Sequence, residues 1–258
     1  MNGLHRDALL SAIGVTKRFA GITALDAVSI DVAEREIVGL IGPNGAGKTT
    51  FFNCLLGMLK PDAGTIRFGD HDLSRVPTYR RARLGIGRTF QRIELFTGMT
   101  VREHFIVADR ARTGRGALWK DLCFMGRPSP AERERAQAML DLLGLAPVGD
   151  RVVESLSLGV GRLVEIGRAL MTEPKLLLLD EPSSGLDRAE TANLEQTLLA
   201  VQRDRNVAIL LVEHDVELVR SFVERVYVLD FGTLIASGPT ETVFADDAVR
   251  KAYLGDLV

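Results

Sequence analysis

The sequence predicts an α/β fold with a mainly parallel sheet, an antiparallel β portion at the N-terminus and a helical insertion in the middle. Apolar strands alternate with helical segments after Lys175, as in βαβ units. Short alternating β patterns open the chain, and a helical pattern fills residues 100–145. The 258 residues allow one large domain or two small ones. Because no internal repeat or low-complexity tract divides them, we expect one domain over 1–258.

Composition narrows the class of protein. The contents of 46% hydrophobic and 26% charged residues are ordinary for a soluble globular protein. A net charge of -2 and a pI near 6.1 lack the positive balance of nucleic-acid binders, so we expect no nucleic-acid partner. Cys54 and Cys123 are too few for a disulfide framework, which favours a reducing compartment.

Neither a signal peptide nor a membrane span is expected. The opening "MNGLHRDALLSAIG" has no apolar core of signal-peptide length. No uninterrupted apolar run reaches the roughly 18 residues that a transmembrane helix needs. A role at a membrane would therefore depend on a partner.

The first elements are strands. The runs "LLSAIGVTKRF" and "ALDAVSIDVA" alternate apolar and polar residues, which predicts an exposed antiparallel sheet. The run "EIVGLIGPNG" begins almost continuously apolar, as a buried strand does. Turn residues surround a further short strand in "KPDAGTIRFGDHDL".

A helical subdomain is expected over about residues 92–165. Within it, "SPAERERAQAMLDLLGL" has the signals of a capped helix: Ser129 as N-cap, Pro130 in the first turn, Glu132 completing a capping box and Gly144 as the stop. The preceding "RARTGRGALWKDLCFMGRP" is read as a solvated surface excursion. Contact of its positive charges with lipid headgroups or a partner is the alternative.

The C-terminal part returns to α/β alternation. The strand "LLLLD" is followed by a helix from about Asp187, the strand "VAILLVEHD", a helix through "VELVRSFVE" and the β run "RVYVLDFGTLIASG". This order predicts parallel pairing. A C-terminal tail is expected over about residues 239–258.

The segment "GPNGAGKT" matches G-x-x-x-x-G-K-[ST] directly after an apolar strand and predicts a P-loop NTPase core. Its glycines let backbone N–H groups surround phosphates, Lys48 reaches the terminal phosphates, and the Thr49 hydroxyl can ligate Mg²⁺. A chance glycine-rich turn is the alternative, which the flanking strand and helix disfavour. The candidate nucleotide-binding residues here are Gly42, Pro43, Asn44, Gly45, Ala46, Gly47, Lys48, Thr49 and Thr50.

The segment "LLLLDEP" supplies the acidic half of such a site. Its leucines bury a central strand that delivers Asp180 to the carboxyl end, where open α/β sheets bind ligands. Asp180 is expected to help hold Mg²⁺, and Glu181 is placed to orient or deprotonate the attacking water. An acidic pair at a strand end is unspecific by itself, and the phosphate loop makes it informative.

Several motifs in order resemble the ATP-binding cassette (ABC) ATPases over essentially the whole chain. Beyond the two above they are "TFQ", "LSLG", "SSGLD" and "VEHD". In that family two cassettes hold two ATP molecules head to tail, and the signature segment of one closes over ATP held by the other. The resemblance therefore implies ATP and Mg²⁺ as ligands and a second ABC ATPase subunit as partner.

The resemblance gives roles to residues that are otherwise unremarkable. Ser157 and Gly159 match signature positions that touch the γ-phosphate of the opposing subunit's ATP; without the resemblance, an ordinary N-cap and a turn would be the favoured interpretation. Gln91 matches a residue that senses Mg²⁺ and water and links to the membrane partner. His214 matches the residue that hydrogen-bonds the γ-phosphate and positions water, whereas a lone histidine is usually structural.

Two further residues and two departures complete the likeness. Phe19 matches an aromatic that contacts adenine, with a core phenylalanine as the alternative. Asp187 matches a residue at the dimer seam, and would otherwise be an ordinary helix N-cap. Relative to the usual L-S-G-G-Q signature, Leu158 replaces one glycine and Val160 replaces glutamine. Loss of the glutamine side chain bears on the strength of closure rather than on the phosphate contact.

Finer features resemble the ATPase subunits of branched-chain amino-acid importers: "GIGRTFQRIELFTGMTVREHFIVA", the insertion and the terminal "AYLG". That likeness implies permease subunits, indirectly a solute-binding protein, and a place at the cytoplasmic face of the membrane. Transporters of amides, urea or an exported solute remain alternatives. A soluble ABC ATPase would usually carry two cassettes, coiled coils or zinc modules. A plain P-loop kinase or GTPase would not need "LSLG" followed by "LLLLDEPSSGLD", and no N-K-x-D is present.

Overall fold

The computed structural model describes residues 8–89, 94–113, 127–247 and 249. In chain order the strands are β1 (Leu10–Phe19), β2 (Ile22–Val32), β3 (Ile37–Ile41), β4 (Ala63–Phe68), β5 (His71–Asp72), β6 (Ile86–Arg88), β7 (Leu176–Asp180), β8 (Ala208–Glu213), β9 (Arg225–Asp230) and β10 (Thr233–Pro239). The helices are α1 (Lys48–Leu56), α2 (Thr78–Leu84), α3 (Val101–Thr113), α4 (Pro130–Leu142), α5 (Leu158–Leu170), α6 (Arg188–Arg205), α7 (Val216–Phe222) and α8 (Thr240–Phe244), with 3-10 turns at Ala146–Val148 and Val153–Ser155.

The N-terminal strands form the predicted antiparallel sheet, in the order β2-β1-β4-β5. Leu10, Ala12 and Val15 of β1 are buried, while residues between them are partly or fully exposed. This alternation is what one core-facing side of an antiparallel sheet requires. The prediction made from the alternating pattern is confirmed.

The larger sheet has the order β10-β9-β3-β8-β7-β6, and the five strands from β9 to β6 run parallel. The mainly parallel α/β prediction is confirmed. The parallel expectation is wrong for β10, which pairs antiparallel with β9. The two strands are joined directly at Phe231 and Gly232, both with positive φ, and a connection this short can only link antiparallel neighbours.

The parallel sheet separates two apolar cores. Ile37 and Ile41 of β3 belong to the core that contains apolar residues of α3 to α7. Val38 and Leu40 belong to the other core, shared with α1 and the antiparallel sheet. Because successive strand side chains point to opposite faces, a strand buried on both faces must be apolar throughout. The sheet edge that follows β3, β7 and β8 is therefore set in a rigid frame.

The predicted capped helix is confirmed as α4. Ser129 Oγ accepts from Glu132 N at 3.2 Å, and Ser129 N donates to the Glu132 carboxylate at 2.6 Å. The helix ends at Leu142, and Gly144 follows with φ 67°. The hydrogen bonds from Arg110 lower the pKa of Glu132 to about 2, so α4 is also tied to α3 by an ion pair.

Parts of the expected helical insertion and tail cannot be compared with the structure. Residue 92 and most of the positively charged excursion, 114–126, lie outside the described residues, as do 250–258 of the tail. The expected end of the insertion, near residue 165, falls inside α5. In the described ranges, no helix has both the length and the apolarity to cross a bilayer.

Candidate active site

The phosphate loop, Asp180, Glu181 and His214 lie at the carboxyl edge of three neighbouring parallel strands. The sheet order places β8 between β3 and β7, with Ile41 opposite Glu213 and Asp180 opposite Val212. The phosphate loop follows β3, Asp180 ends β7 and Glu181 comes directly after it, and His214 follows β8. The strands thus bring together residues that are far apart in the chain, such as Gly42 and Asp180.

The phosphate loop has a backbone that glycine alone accommodates at two positions. Gly42 and Gly47 have φ values of 151° and 105°. A Cβ at Gly42 would lie 2.0 Å from Leu229 O, and a Cβ at Gly47 would lie 2.6 Å from Ala24 O. Both contacts are shorter than packing permits, so the loop could not approach its neighbours with a side chain there.

The loop leads into α1 with the helix N-terminus open to a ligand. Gly47 caps the helix without a side chain, and among the described residues no side chain bonds the first-turn N–H groups. The first turn has no acidic residue, and Thr49 within it is exposed. Free N–H groups at a helix N-terminus, together with the helix dipole, favour the binding of an anion.

Lys48 lies folded against the loop. Its Nζ donates to Gly42 O at 2.6 Å and to Pro43 O at 3.0 Å. Burial lowers the pKa of Lys48, and the negative charges of Glu181 and Asp180 oppose that effect.

The acidic pair has the complementary properties. Burial raises the pKa of Asp180, and the charge of neighbouring Glu181 raises it further, while Lys48 opposes the shift. A nearby divalent cation would stabilise the charged form of this carboxylate. Among the described residues no three acidic, histidine or cysteine side chains form a metal cage. The carboxylate of Asp180 and the hydroxyl of Thr49 are oxygen donors of the kind that Mg²⁺ accepts, and they would hold the ion together with phosphate oxygens.

Glu181 has a left-handed backbone, with φ 46°, which is unusual for a residue with a side chain. Its N–H donates to Val212 O at 2.9 Å, so the turn after β7 is fixed to the neighbouring strand β8. His214, the residue after β8, is also held by a backbone hydrogen bond: its N–H donates to Glu213 Oε2 at 3.1 Å, while the imidazole is half exposed.

The signature segment caps α5 and is joined to α6. Ser157 is the N-cap, and its Oγ accepts from Val160 N at 3.4 Å. The same hydroxyl donates to Glu190 Oε1 at 3.1 Å, and Gly159 N donates to that oxygen at 3.2 Å. Glu190 is itself in the first turn of α6, in a capping box with Asp187. The two donors predicted to meet a phosphate are thus engaged by a carboxylate.

The other predicted residues have defined places. Phe19, at the end of β1, is 42% exposed, so the core alternative for it is wrong. Lys17 Nζ lies 5.4 Å from the Phe19 ring centroid. Asp187 is the N-cap of α6, as the alternative reading of it expects. Leu158 is exposed, and Val160 is partly buried against the core. Gln91 lies outside the described residues.

Three polar residues at the site escaped the sequence reasoning. Glu213 accepts hydrogen bonds from His214 and from Ser183, which lies in the turn after Glu181, and Glu190 accepts one from Ser157. Glu213 had a usable signal, because a charge that closes the apolar strand "VAILLV" must find partners when buried. Glu190 had another, since it stands three residues after Asp187 as in a capping box.

Comparison with known proteins gives consistent similarities. A family model described as ABC transporter matches residues 25–184, and one described as branched-chain amino acid ATP-binding cassette transporter matches residues 233–257. The chain is 41% identical to the high-affinity branched-chain amino acid transport ATP-binding protein LivG of Salmonella typhimurium, over 96% of this chain and 98% of LivG. It is 38% identical to BraF of Pseudomonas aeruginosa, with the same coverage. The solved ADP conformation of MJ1267, an ATP-binding cassette of an ABC transporter, has a TM-score of 0.84 and 31% identity, over 96% of this chain and 99% of that chain.

Proposed function

This chain belongs to the ABC transporter family of ATPases, and on that premise we propose that it is the ATP-hydrolysing subunit of an importer for branched-chain or other hydrophobic amino acids. The observation that carries the proposal is the likeness to LivG and BraF over 96% of the chain, together with the C-terminal match over residues 233–257. The resemblance to ABC ATPases drawn from the sequence motifs is confirmed, and ATP hydrolysis is the activity of that family.

Binding of the nucleotide begins at the phosphate loop. The N–H groups of the loop and of the first turn of α1 receive the phosphates, and Lys48 exchanges the carbonyl oxygens of Gly42 and Pro43 for terminal phosphate oxygens. The exposed ring of Phe19 is available to stack on adenine. Asp180 and Thr49 would hold Mg²⁺, with Gln91 as a further expected ligand; the ion supplies charge neutralisation when bound.

Hydrolysis requires positioning and charge neutralisation more than covalent chemistry. Glu181 orients the attacking water and accepts its proton, and His214 hydrogen-bonds the γ-phosphate. The rigid attachment of Glu181 N to Val212 O favours a single placement of the carboxylate. The Lys48 ammonium and the N–H groups of the loop then offset negative charge on the transferred phosphoryl group.

A second cassette completes the site. Ser157 and Gly159 contact the γ-phosphate held by the opposing subunit, and Asp187 lies at the seam between the subunits. Because these donors bind Glu190 within one chain, closure exchanges that carboxylate for a phosphate. ATP binding therefore drives closure, and product release drives opening.

The proposed partners follow from the same assignment. They are a second ABC ATPase subunit, identical or different, and two permease subunits that receive solute from a binding protein. The chain would lie on the cytoplasmic face of the membrane through the permease, with the helical subdomain of about residues 92–165 available for that contact. An amide, urea or exported solute remains the alternative cargo, and a soluble ABC ATPase is the more distant one.

The catalytic assignment is tested by Glu181→Gln in the purified chain with Mg²⁺ and ATP. Loss of the base should abolish turnover, preserve ATP binding and accumulate a closed dimer detectable by size-exclusion chromatography. Hydrolysis at the wild-type rate in this variant would refute the assigned base. Full-rate hydrolysis by a monomer carrying Ser157→Ala would refute the shared site.

The transport assignment is tested in cells lacking this chain. Uptake of labelled leucine, isoleucine and valine should be lost and should return with the wild-type gene but not with Lys48→Ala, which removes the phosphate-binding ammonium. Unchanged amino-acid uptake with loss of urea or amide uptake would instead support the alternative cargo.

A further inference from the structure

Glu213 is a fully buried carboxylate at the centre of the candidate site. It is the last residue of β8, with 0% of its surface exposed, and the rest of that strand is apolar. Its register partner is Ile41, the residue before the phosphate loop, and the preceding Val212 is opposite Asp180. The Glu213 side chain therefore starts between the strand that leads to the phosphate loop and the strand that ends in the acidic pair.

Each oxygen of the Glu213 carboxylate bonds a different part of the site. Oε1 accepts from Ser183 N at 2.9 Å and from Ser183 Oγ at 2.6 Å. Oε2 accepts from His214 N at 3.1 Å and lies 3.8 Å from His214 Nδ1. One carboxylate thereby joins the turn that begins with Glu181 to the residue that carries the imidazole.

Stability alone is a poor reason for this arrangement. A carboxylate taken out of water loses hydration that its partners replace only with good geometry, and apolar replacements of buried charges are often neutral or stabilising. Here the charge also lies close enough to Lys48 and Asp180 to act on the pKa values of both. What the carboxylate does provide is a fixed relation between two turns that come from different strands.

We propose that Glu213 is a positioning residue for ATP hydrolysis, which holds the Glu181 turn and His214 in one mutual arrangement. Glu213 is not a catalytic residue, because its buried oxygens face Ser183 and His214 rather than a site that substrate reaches. The inference rests on the proposed roles of Glu181 and His214. It adds that their placement depends on a single carboxylate between them.

The primary test is Glu213→Gln in the full chain. Glutamine is nearly isosteric, but it presents one acceptor oxygen and an NH₂ group, so it cannot accept from both Ser183 and His214. We expect kcat to fall by about 10- to 100-fold, as for an ångström-scale misplacement, while the Kd for ATP changes less than about twofold. A fall confined to ATP affinity, or an unchanged kcat, would overturn the proposal.

A double-mutant cycle separates positioning from general support of the fold. If Glu213 acts partly through His214, Glu213→Gln should reduce kcat less in a His214→Ala background than in the wild type. Equal reductions in the two backgrounds would overturn action through His214. Ser183→Ala, which removes only the hydroxyl donor at 2.6 Å, should lower kcat several-fold and provides a second variant if Glu213→Gln folds poorly; wild-type kcat in Ser183→Ala would then overturn the proposal.

Asp31→Asn is the matched control, because it also neutralises a buried carboxylate. Asp31 is 2% exposed and bonds Arg225 and Tyr227 instead of the site. Asp31→Asn should lower the thermal midpoint and leave kcat unchanged. A substitution at a positioning residue should instead lower kcat. Wild-type kcat in Glu213→Gln with an inactive Glu181→Gln would overturn this inference alone, whereas an active Glu181→Gln would overturn the assignment beneath it.

Discussion

At the scale of single residues, Val160 is the position where this chain lacks the polar side chain of the usual signature. The Val160 N–H donates to the N-cap oxygen Ser157 Oγ at 3.4 Å, and the Val160 side chain is partly buried. Val160→Gln restores a donor and acceptor beside the proposed phosphate contact. One added hydrogen bond is worth about 0.5–1.5 kcal/mol, so the ATP concentration for half-maximal dimerisation should fall up to about tenfold.

Dimer formation for Val160→Gln is measured by size-exclusion chromatography across an ATP series, in the Glu181→Gln background. Val152→Gln is the matched control, because it makes the same exchange at an exposed valine outside the signature. Identical titrations for Val160→Gln and its parent would show that this position does not influence closure.

His104 predicts a pH dependence of stability. Its imidazole is buried, with Nδ1 donating to Thr100 O at 2.8 Å and Nε2 accepting from Phe96 N at 2.9 Å. Burial lowers the pKa of His104 below its usual 6.5, and Arg168 adds to that shift. Protonation would deprive the Phe96 N–H of its acceptor. The neutral ring therefore stabilises the fold, and the free energy of unfolding should decline as pH falls from about 6.5 toward the lowered pKa.

The pH effect is measured by urea unfolding at several pH values between about 8 and 5. His104→Gln should flatten the part of the decline that this ring causes. His71→Gln, at an exposed histidine of β5, should leave the decline as in the wild type. The assignment is wrong if His104→Gln and the wild type lose stability in parallel as the pH falls.

At the scale of elements, the junction of α5 with α6 sets the readiness of the signature segment. Glu190→Gln keeps the α6 capping box, because glutamine serves at that position, but removes the charge that holds Ser157 Oγ and Gly159 N. Charged hydrogen bonds exceed neutral ones by about 1 kcal/mol, so half-maximal dimerisation should need about fivefold less ATP.

The comparison for Glu190→Gln is Glu195→Gln, which removes the same charge from the same helix without contacting the signature. Both are titrated with ATP in the Glu181→Gln background. A shift of the same size in the two variants would assign the effect to the net charge of α6 and not to the bonds with Ser157 and Gly159.

At the scale of the whole molecule, ligand binding should stabilise the fold by mass action. With Mg²⁺ and ADP at 100 times Kd, the gain is about 2.7 kcal/mol, which corresponds to roughly 5–10 °C in thermal midpoint for a domain of this size. Differential scanning fluorimetry measures that rise. Lys48→Ala should lose most of it, and an undiminished rise would remove Lys48 from the phosphate site.

Local signals made much of the molecule predictable. Alternating apolar runs predicted the antiparallel sheet, and continuous apolar runs between helices predicted the mainly parallel one. Ser129 and Glu132 predicted where α4 begins. The phosphate loop combines a fixed glycine spacing with a preceding strand, so its geometry could be anticipated. The antiparallel β10 could not be read from apolar content, because direction depended on the two-residue connection at Phe231 and Gly232.

The contacts that were missed join residues far apart in the chain. Glu213 meets Ser183 across 30 positions, and Glu190 meets Ser157 across 33. Sequence periodicity does not predict such a pair, because the two partners lie on different elements and meet only in the folded structure. The roles of Ser157 and Gly159, which depend on a second subunit, remain predictions, and so does the role of Gln91, which lies outside the described residues.

The left-handed backbone of Glu181 has a consequence for variants selected by heat. A side chain in that conformation is disfavoured by about 1–2 kcal/mol, and glycine escapes most of that strain while losing more freedom on folding. Glu181→Gly should therefore resist urea better than Glu181→Ala, by up to about 1 kcal/mol, although we expect neither variant to turn over ATP. Laboratory evolution that selects for stability alone would therefore favour glycine at position 181, and the selected proteins would be stable but inactive.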